Sequence, residues 1–180
     1  MPSRNRRRSR EVGGRLSNPR SRLRLAQCLL LCALALSSAH AARAAGDAQA
    51  DQIIGRWLTE PRDGIIEISM TADGTYTGRI IGGDSPNRVD AKNPDPAKRL
   101  RVLLGQVILQ QLKYKGRGQW SDGTIYDPDS GHTYHCNVEL LNAEQLRVRG
   151  YIGVSLLGRT QLWTRYQGSS LTLPPAKRTD

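Results

Sequence analysis

The sequence predicts an all-β protein: about eight short antiparallel strands closed into an up-and-down barrel. Three observations predict it. From Ile53 to Arg165, short runs rich in β-branched and aromatic residues alternate with Gly, Pro, Asn and Asp turns, and no stretch carries a credible long helix. Most connections are of hairpin length, which favours an up-and-down barrel over a sandwich. Finally, Gly55-Arg56-Trp57 opens the series and Trp163-Thr164-Arg165 closes it. An arginine on the last strand meets a tryptophan on the first only if the sheet curls round on itself.

Each element follows from local chemistry. Residues 55–58 form a short first strand. Pro61-Arg62-Asp63-Gly64 turns into a second at 65–69, and the Asp-Gly turn of Thr71-Ala72-Asp73-Gly74 leads into a third at 75–81. Residues 82–101 are irregular. They hold Gly82-Gly83, Pro86, Asn93-Pro94 and Asp95-Pro96, and each x-Pro step keeps the preceding residue extended or turned. Residues 102–114 are apolar, with a helical turn at Leu103-Leu104-Gly105 and a strand from Gln106 to Tyr114. Lys115-Gly116-Arg117-Gly118 turns into a strand at 119–126 that Asp122-Gly123 interrupts. After the tight turn Asp127-Pro128-Asp129-Ser130-Gly131, residues 132–141 are the clearest strand. Tyr134, Cys136, Val138 and Leu140 share one face, and His135, Asn137 and Glu139 the other. In 145–151, Leu146 and Val148 face one way, Arg147 and Arg149 the other. A loop at 153–158 leads to the last strand, 159–165. Residues 167–180 are polar, contain Pro174-Pro175, and are expected to form a loose tail.

Charge separates the leader from the domain. The 180-residue chain has a formal charge of +11, yet residues 1–45 hold ten of its 27 basic residues and one of its 16 acids, leaving 17 basic against 15 acidic residues, a net of +2. A nearly neutral domain lacks the field that drives non-specific phosphate binding, so no nucleic-acid partner is expected. Residues 1–45 read as an export signal: an arginine-rich stretch to Arg24, an apolar run from Leu25 to Leu36, then the Ala-x-Ala sites Ala39-His40-Ala41 and Ala42-Arg43-Ala44. The apolar run is shorter than the ~20 residues a spanning helix needs. The organisation expected is therefore a signal over 1–45, one barrel over 46–166 and a tail over 167–180, with the mature protein exported to the periplasm and no membrane span in it.

Cys28 and Cys32 leave with the signal, so Cys136 has no internal disulfide partner. It reads as core filler or as a reactive thiol, the core being favoured by its place on the apolar face. Metal and nucleophile chemistry are not expected at His132, His135 and Cys136, because adjacent strand residues point to opposite faces. Asp127 to Gly131 lacks the third acid and the distal Glu of a calcium loop, and a turn uses the same residue types. No cofactor motif, nucleophile elbow or phosphate loop is present.

Several quoted segments together carry a resemblance: Ile54-Gly55-Arg56-Trp57, Asp90-x-x-Asn93-Pro94-Asp95-Pro96, Ile125-Tyr126-Asp127-Pro128-x-x-Gly131-x-x-Tyr134, Arg149-Gly150-Tyr151-x-Gly153 and Leu157-Gly158-Arg159-Thr160-Gln161-x-Trp163-Thr164-Arg165. They resemble the bacterial exported family catalogued as domain of unknown function twenty-one forty-seven. The resemblance implies a lipocalin-like barrel and no established activity or catalytic residues. The Gly-x-Trp bracket is also similar to that of the calycins. That similarity implies that Gly55, Trp57, Trp163 and Arg165 close the barrel, with Arg165 lying over the Trp57 ring.

The function expected is non-catalytic binding of a small apolar or amphipathic ligand in an interior cavity, with a periplasmic protein-binding module, such as an envelope inhibitor or assembly factor, as the alternative. The candidate ligand-binding residues are Asp90, Asn93, Arg101, Tyr126, Tyr134 and Arg149. Two readings stand open for the loop residues Asp90, Asn93 and Asp95 with Lys98, Arg99 and Arg101: a lid touching a polar ligand, or a loop bonded to itself. Arg147, Arg149 and Arg159 are an inward carboxylate site or a solvated face.

Overall fold

A computed structural model describes residues 48–153 and 158–175; the expected export signal lies outside the described residues. Eight strands follow in order: β1 Gly55–Leu58, β2 Gly64–Met70, β3 Tyr76–Gly83, β4 Val107–Gly116, β5 Gln119–Asp127, β6 His132–Asn142, β7 Gln145–Tyr151 and β8 Gly158–Arg165. Each pairs antiparallel with its neighbour in sequence, and β8 pairs back onto β1, giving a closed barrel. The seam is short: Trp57 opposes Arg165 and Leu58 opposes Thr164.

Alternation decides what faces in. Trp57, Ile66 and Ile80 oppose one another across β1–β3 and share the inner face. Near one end the interior is filled by Trp57, Trp120, Ile68, Tyr76, Leu112, Val138 and Leu146, all buried. Tyr76 meets Trp120 edge-on, with ring centroids 6.2 Å apart, an arrangement that the ring quadrupoles favour. With no Phe in the chain, tryptophan and tyrosine supply the bulk. Cys136 is buried in the same core and its thiol is pushed up to about 12 by burial.

The segment before β1 plugs this filled end. A short 3-10 turn at Asp51–Ile53 buries Ile53. Trp57 Nε1 donates to the Ile53 carbonyl at 2.8 Å, and the Tyr76 hydroxyl donates to Asp51 Oδ1 at 3.0 Å. Arg165 joins plug, first strand and last strand. Its guanidinium carbon lies 4.1 Å from the Trp57 ring centroid. Its nitrogens donate to the carbonyls of Ala143 at 2.6 Å, Gln52 at 2.8 Å and Ile54 at 3.2 Å. Gly55 is required here twice over: its φ is +130°, and a Cβ on it would meet Arg165 Nη1 at 2.9 Å.

The C-terminal stretch departs from the loose tail expected over 167–180. The Gly83 amide donates to the Leu171 carbonyl and the Leu173 amide to the Gly83 carbonyl, both at 2.9 Å. Leu58, Ile65 and Gly82 oppose one another on the outer face, and a Cβ on Gly82 would lie 2.2 Å from the Leu171 carbonyl oxygen. The chain thus crosses the outside of β3 as a strap, on the face where Leu58 and Ile65 are buried. Residues 176–180 lie outside the described residues.

Candidate ligand cavity

Beyond the filled half, the side chains leave a cavity of about 920 Å³. Ile66, Ile80, Ile108, Ile125, Val148 and Trp163 form its apolar wall. Gly150 continues the inner row of Leu146 and Val148, and a Cβ there would stand 3.4 Å from both Ile125 and Tyr134. Having no side chain at this point keeps the cavity wide. The mouth is bounded by the β1–β2 turn with Asp63, the start of the long loop with Asp84 and Arg88, the β5–β6 turn with Asp127 and Asp129, and the start of β8.

Strand β8 supplies the polar groups that reach inside. Arg159, Gln161 and Trp163 line the cavity in alternation, and Arg165 continues the row at the filled end. Trp163 Nε1 donates to Gln161 Oε1 at 2.8 Å. That bond fixes the amide, since its oxygen is engaged and its Nε2 donors are left to turn elsewhere. Tyr134 also faces in, with its hydroxyl 3.3 Å from Ser130 Oγ.

The six ligand candidates read from the sequence divide. Tyr126 and Tyr134 are at the cavity. Asp90, Asn93 and Arg101 are not among its lining residues; they form a latch with Tyr126. Asp90 is fully buried and accepts from the Tyr126 hydroxyl and from Asn93 Nδ2, each at 2.6 Å, while Arg101 Nη2 stands 3.8 Å away. Burial, and then the bond to Asp90, push the Tyr126 hydroxyl up to about 12. The rest of the loop bonds to itself. Asn93 Oδ1 accepts from the Asp95 amide, Asp95 Oδ1 from the Ala97 amide, and the Asn93 carbonyl from Arg99 Nε. The self-bonded reading therefore describes residues 93–99, whereas Asp90 ties the loop to β5 through Tyr126, and it is the stem, from Asp84 to Arg88 with Leu103 and Leu104, that borders the mouth.

Arg149 requires a correction. It lies on the outer face of β7 and donates to Thr160 Oγ1 at 2.8 Å, because Leu146 and Val148 hold the inner positions of that strand. Arg147 is outside too, paired with Glu139. The inward arginine is Arg159, whose phase with Trp163 was the available signal. Gln161, two residues from each, was missed although it shares that phase. Among the described residues no three His, Cys, Asp or Glu side chains are grouped to hold a metal ion, and no helix is long and apolar enough to cross a membrane.

Comparison with known proteins agrees with this architecture. No curated protein matches the chain. A solved structure described as protein HP1028 from the human pathogen Helicobacter pylori, belonging to the lipocalin family, superposes with a TM-score of 0.58 at 22% identity, over 64% of this chain and 83% of that one. At that identity the likeness shows a lipocalin-like fold. The family model described as an uncharacterized protein conserved in bacteria matches residues 55–165, which run from the first residue of β1 to the last of β8. The chain therefore belongs to that bacterial family, DUF2147.

Proposed function

We propose that this chain is an exported, periplasmic, non-catalytic barrel that holds one small apolar or amphipathic molecule in its cavity. The observation that carries the reading is the division of the interior. One half is packed with tryptophan and aliphatic side chains; the other is a cavity of about 920 Å³ with aliphatic walls and a polar mouth. Wall atoms facing a space of this size forgo dispersion contacts, which costs stability. A purely structural barrel gains by filling such a space, whereas a binding protein keeps it. The volume falls within the range of small-molecule sites, and an apolar wall with few polar groups is their usual make-up. Export rests on the order of basic, apolar and small residues before Gly46.

The test is titration with the uncharged fluorophore 1-aminoanthracene, comparing wild type with Gly150→Leu, which would project a side chain into the cavity between Ile125 and Tyr134. One-to-one uptake by the wild type, lost in the variant while the melting temperature holds, supports the reading. No uptake by the wild type, or equal uptake by both, counts against it. The protein-binding alternative draws on a separate feature. Beyond Leu58 and Thr164 the β8 edge has no registered β1 partner, and Glu60 accepts from the Leu162 amide there at 3.0 Å. A stoichiometric protein captured from periplasm, bound along that edge, would favour it.

A further inference from the structure

The polar groups around the cavity are unequally occupied. Asp63 accepts from the Thr59 hydroxyl at 2.7 Å, Asp127 accepts from the Ser130 hydroxyl at 2.7 Å and from the Asp129 amide at 3.0 Å, Arg88 pairs with Asp129, and Asp84 is engaged as well. Arg159 differs: among the described residues it forms no ion pair. Two residues further along the same inward row is Gln161. Its oxygen already accepts from the Trp163 indole, so the groups it has left without a partner are its Nε2 donors. The uncommitted groups on the inner face of β8 are thus all donors, one of them cationic. They stand where the polar mouth gives way to the wall of Ile66, Ile80, Ile108, Ile125 and Val148.

Such a row suits an acceptor-only, negatively charged group. A planar guanidinium matches a carboxylate in two parallel bonds, and a side-chain amide whose oxygen is turned to an indole adds a third donor. An alcohol fills fewer of these donors, and an ammonium fills none while meeting a like charge. We propose that the cavity takes a monocarboxylic acid with an apolar chain, its carboxylate between Arg159 and Gln161 and its chain against the aliphatic wall. The proposal rests on the ligand-binding reading above and adds the ligand's chemical class and orientation to it.

The experiment is calorimetric titration of the purified protein with dodecanoate, dodecan-1-ol and dodecylamine, which share a chain and differ in headgroup. Dodecanoate is expected to bind about tenfold tighter than the alcohol, as fits a charge-assisted pair at a half-exposed mouth, with the amine weakest. Arg159→Gln and Gln161→Glu each remove a donor, and the glutamate still accepts the Trp163 N–H, so that indole keeps its partner. Each variant is expected to weaken dodecanoate about tenfold while dodecan-1-ol stays within about threefold of wild type. Equal affinity for the three headgroups, an amine preference, or dodecanoate binding untouched by both variants overturns the headgroup assignment and leaves the cavity reading standing. Failure of all three probes to bind overturns the headgroup assignment, and the cavity reading falls with it if 1-aminoanthracene also fails to bind.

Discussion

Replacing Arg165 with methionine would open the barrel's closing joint without emptying it. The thioether still covers the Trp57 ring, so what is lost is charge and hydrogen bonding. The guanidinium lies 4.1 Å from the indole centroid, a cation–π contact worth about 0.5–2 kcal/mol depending on solvation. Three carbonyls, of Ala143, Gln52 and Ile54, lose a donor. In a half-exposed setting each bond is worth about 0.5–1 kcal/mol. The sum is about 3 kcal/mol, a large share of the margin of a single domain. Urea unfolding followed by tryptophan fluorescence would report it as a lower midpoint at unchanged slope. Arg165→Lys sharpens the test. A lysine keeps the charge but cannot stack and reach three carbonyls from one ammonium, so it should recover less than half the loss. A loss below about 0.5 kcal/mol in the methionine variant, or full recovery by lysine, would refute the assignment of Arg165 as the joint.

Other consequences can be measured. Gly82→Val would drive a side chain into the Leu171 carbonyl, 2.2 Å from where its Cβ must go; the strap should lift, with a cost of about 1–3 kcal/mol and faster proteolysis within 166–175. Unchanged digestion would contradict the docking of the strap. Tyr126→Phe removes one of the bonds to fully buried Asp90 and should cost about 1–3 kcal/mol, whereas Tyr151→Phe, which touches no part of the latch, should cost under about 0.5 kcal/mol. Alkaline pH should destabilise the fold. Folding pushes the Cys136 thiol from 9.0 and the Tyr126 hydroxyl from 10.0, each to about 12, so the folded chain holds protons that the unfolded chain has released. Stability is complete below about pH 9 and falls as pH rises towards about 12; denaturation midpoints across that window that stay flat would contradict it. For the same reason the native thiol stays protonated at pH 8 and should react with Ellman's reagent only on unfolding.

The strands were legible because two-residue alternation and Asp-Gly or Gly-rich turns are local signals. Closure was legible for a different reason: the Gly55-x-Trp57 and Trp163-x-Arg165 pairs mark a contact between the two ends of the domain. The cavity's polar row was only half legible. The phase of β7 could be read from Leu146 and Val148, which place Arg147 and Arg149 outside, but β8 follows a loop whose end the sequence does not mark, so the phase of Arg159 and Gln161 had only Trp163 as an anchor. The Asp90 latch depends on Tyr126, 36 residues away, and no local pattern tells a buried carboxylate from one reaching for a ligand. The strap was hidden because Leu171 and Leu173 sit in a polar, proline-bearing context that reads as loose chain. The signal in hindsight is Gly82-Gly83, whose missing side chains let another backbone approach.

Native mass spectrometry of the protein purified from its own host would show whether the cavity is occupied. A single bound small molecule is expected, seen as a discrete added mass in the wild type and absent from Gly150→Leu. A wild-type mass equal to that of the chain alone, together with failure to take up 1-aminoanthracene, would contradict it.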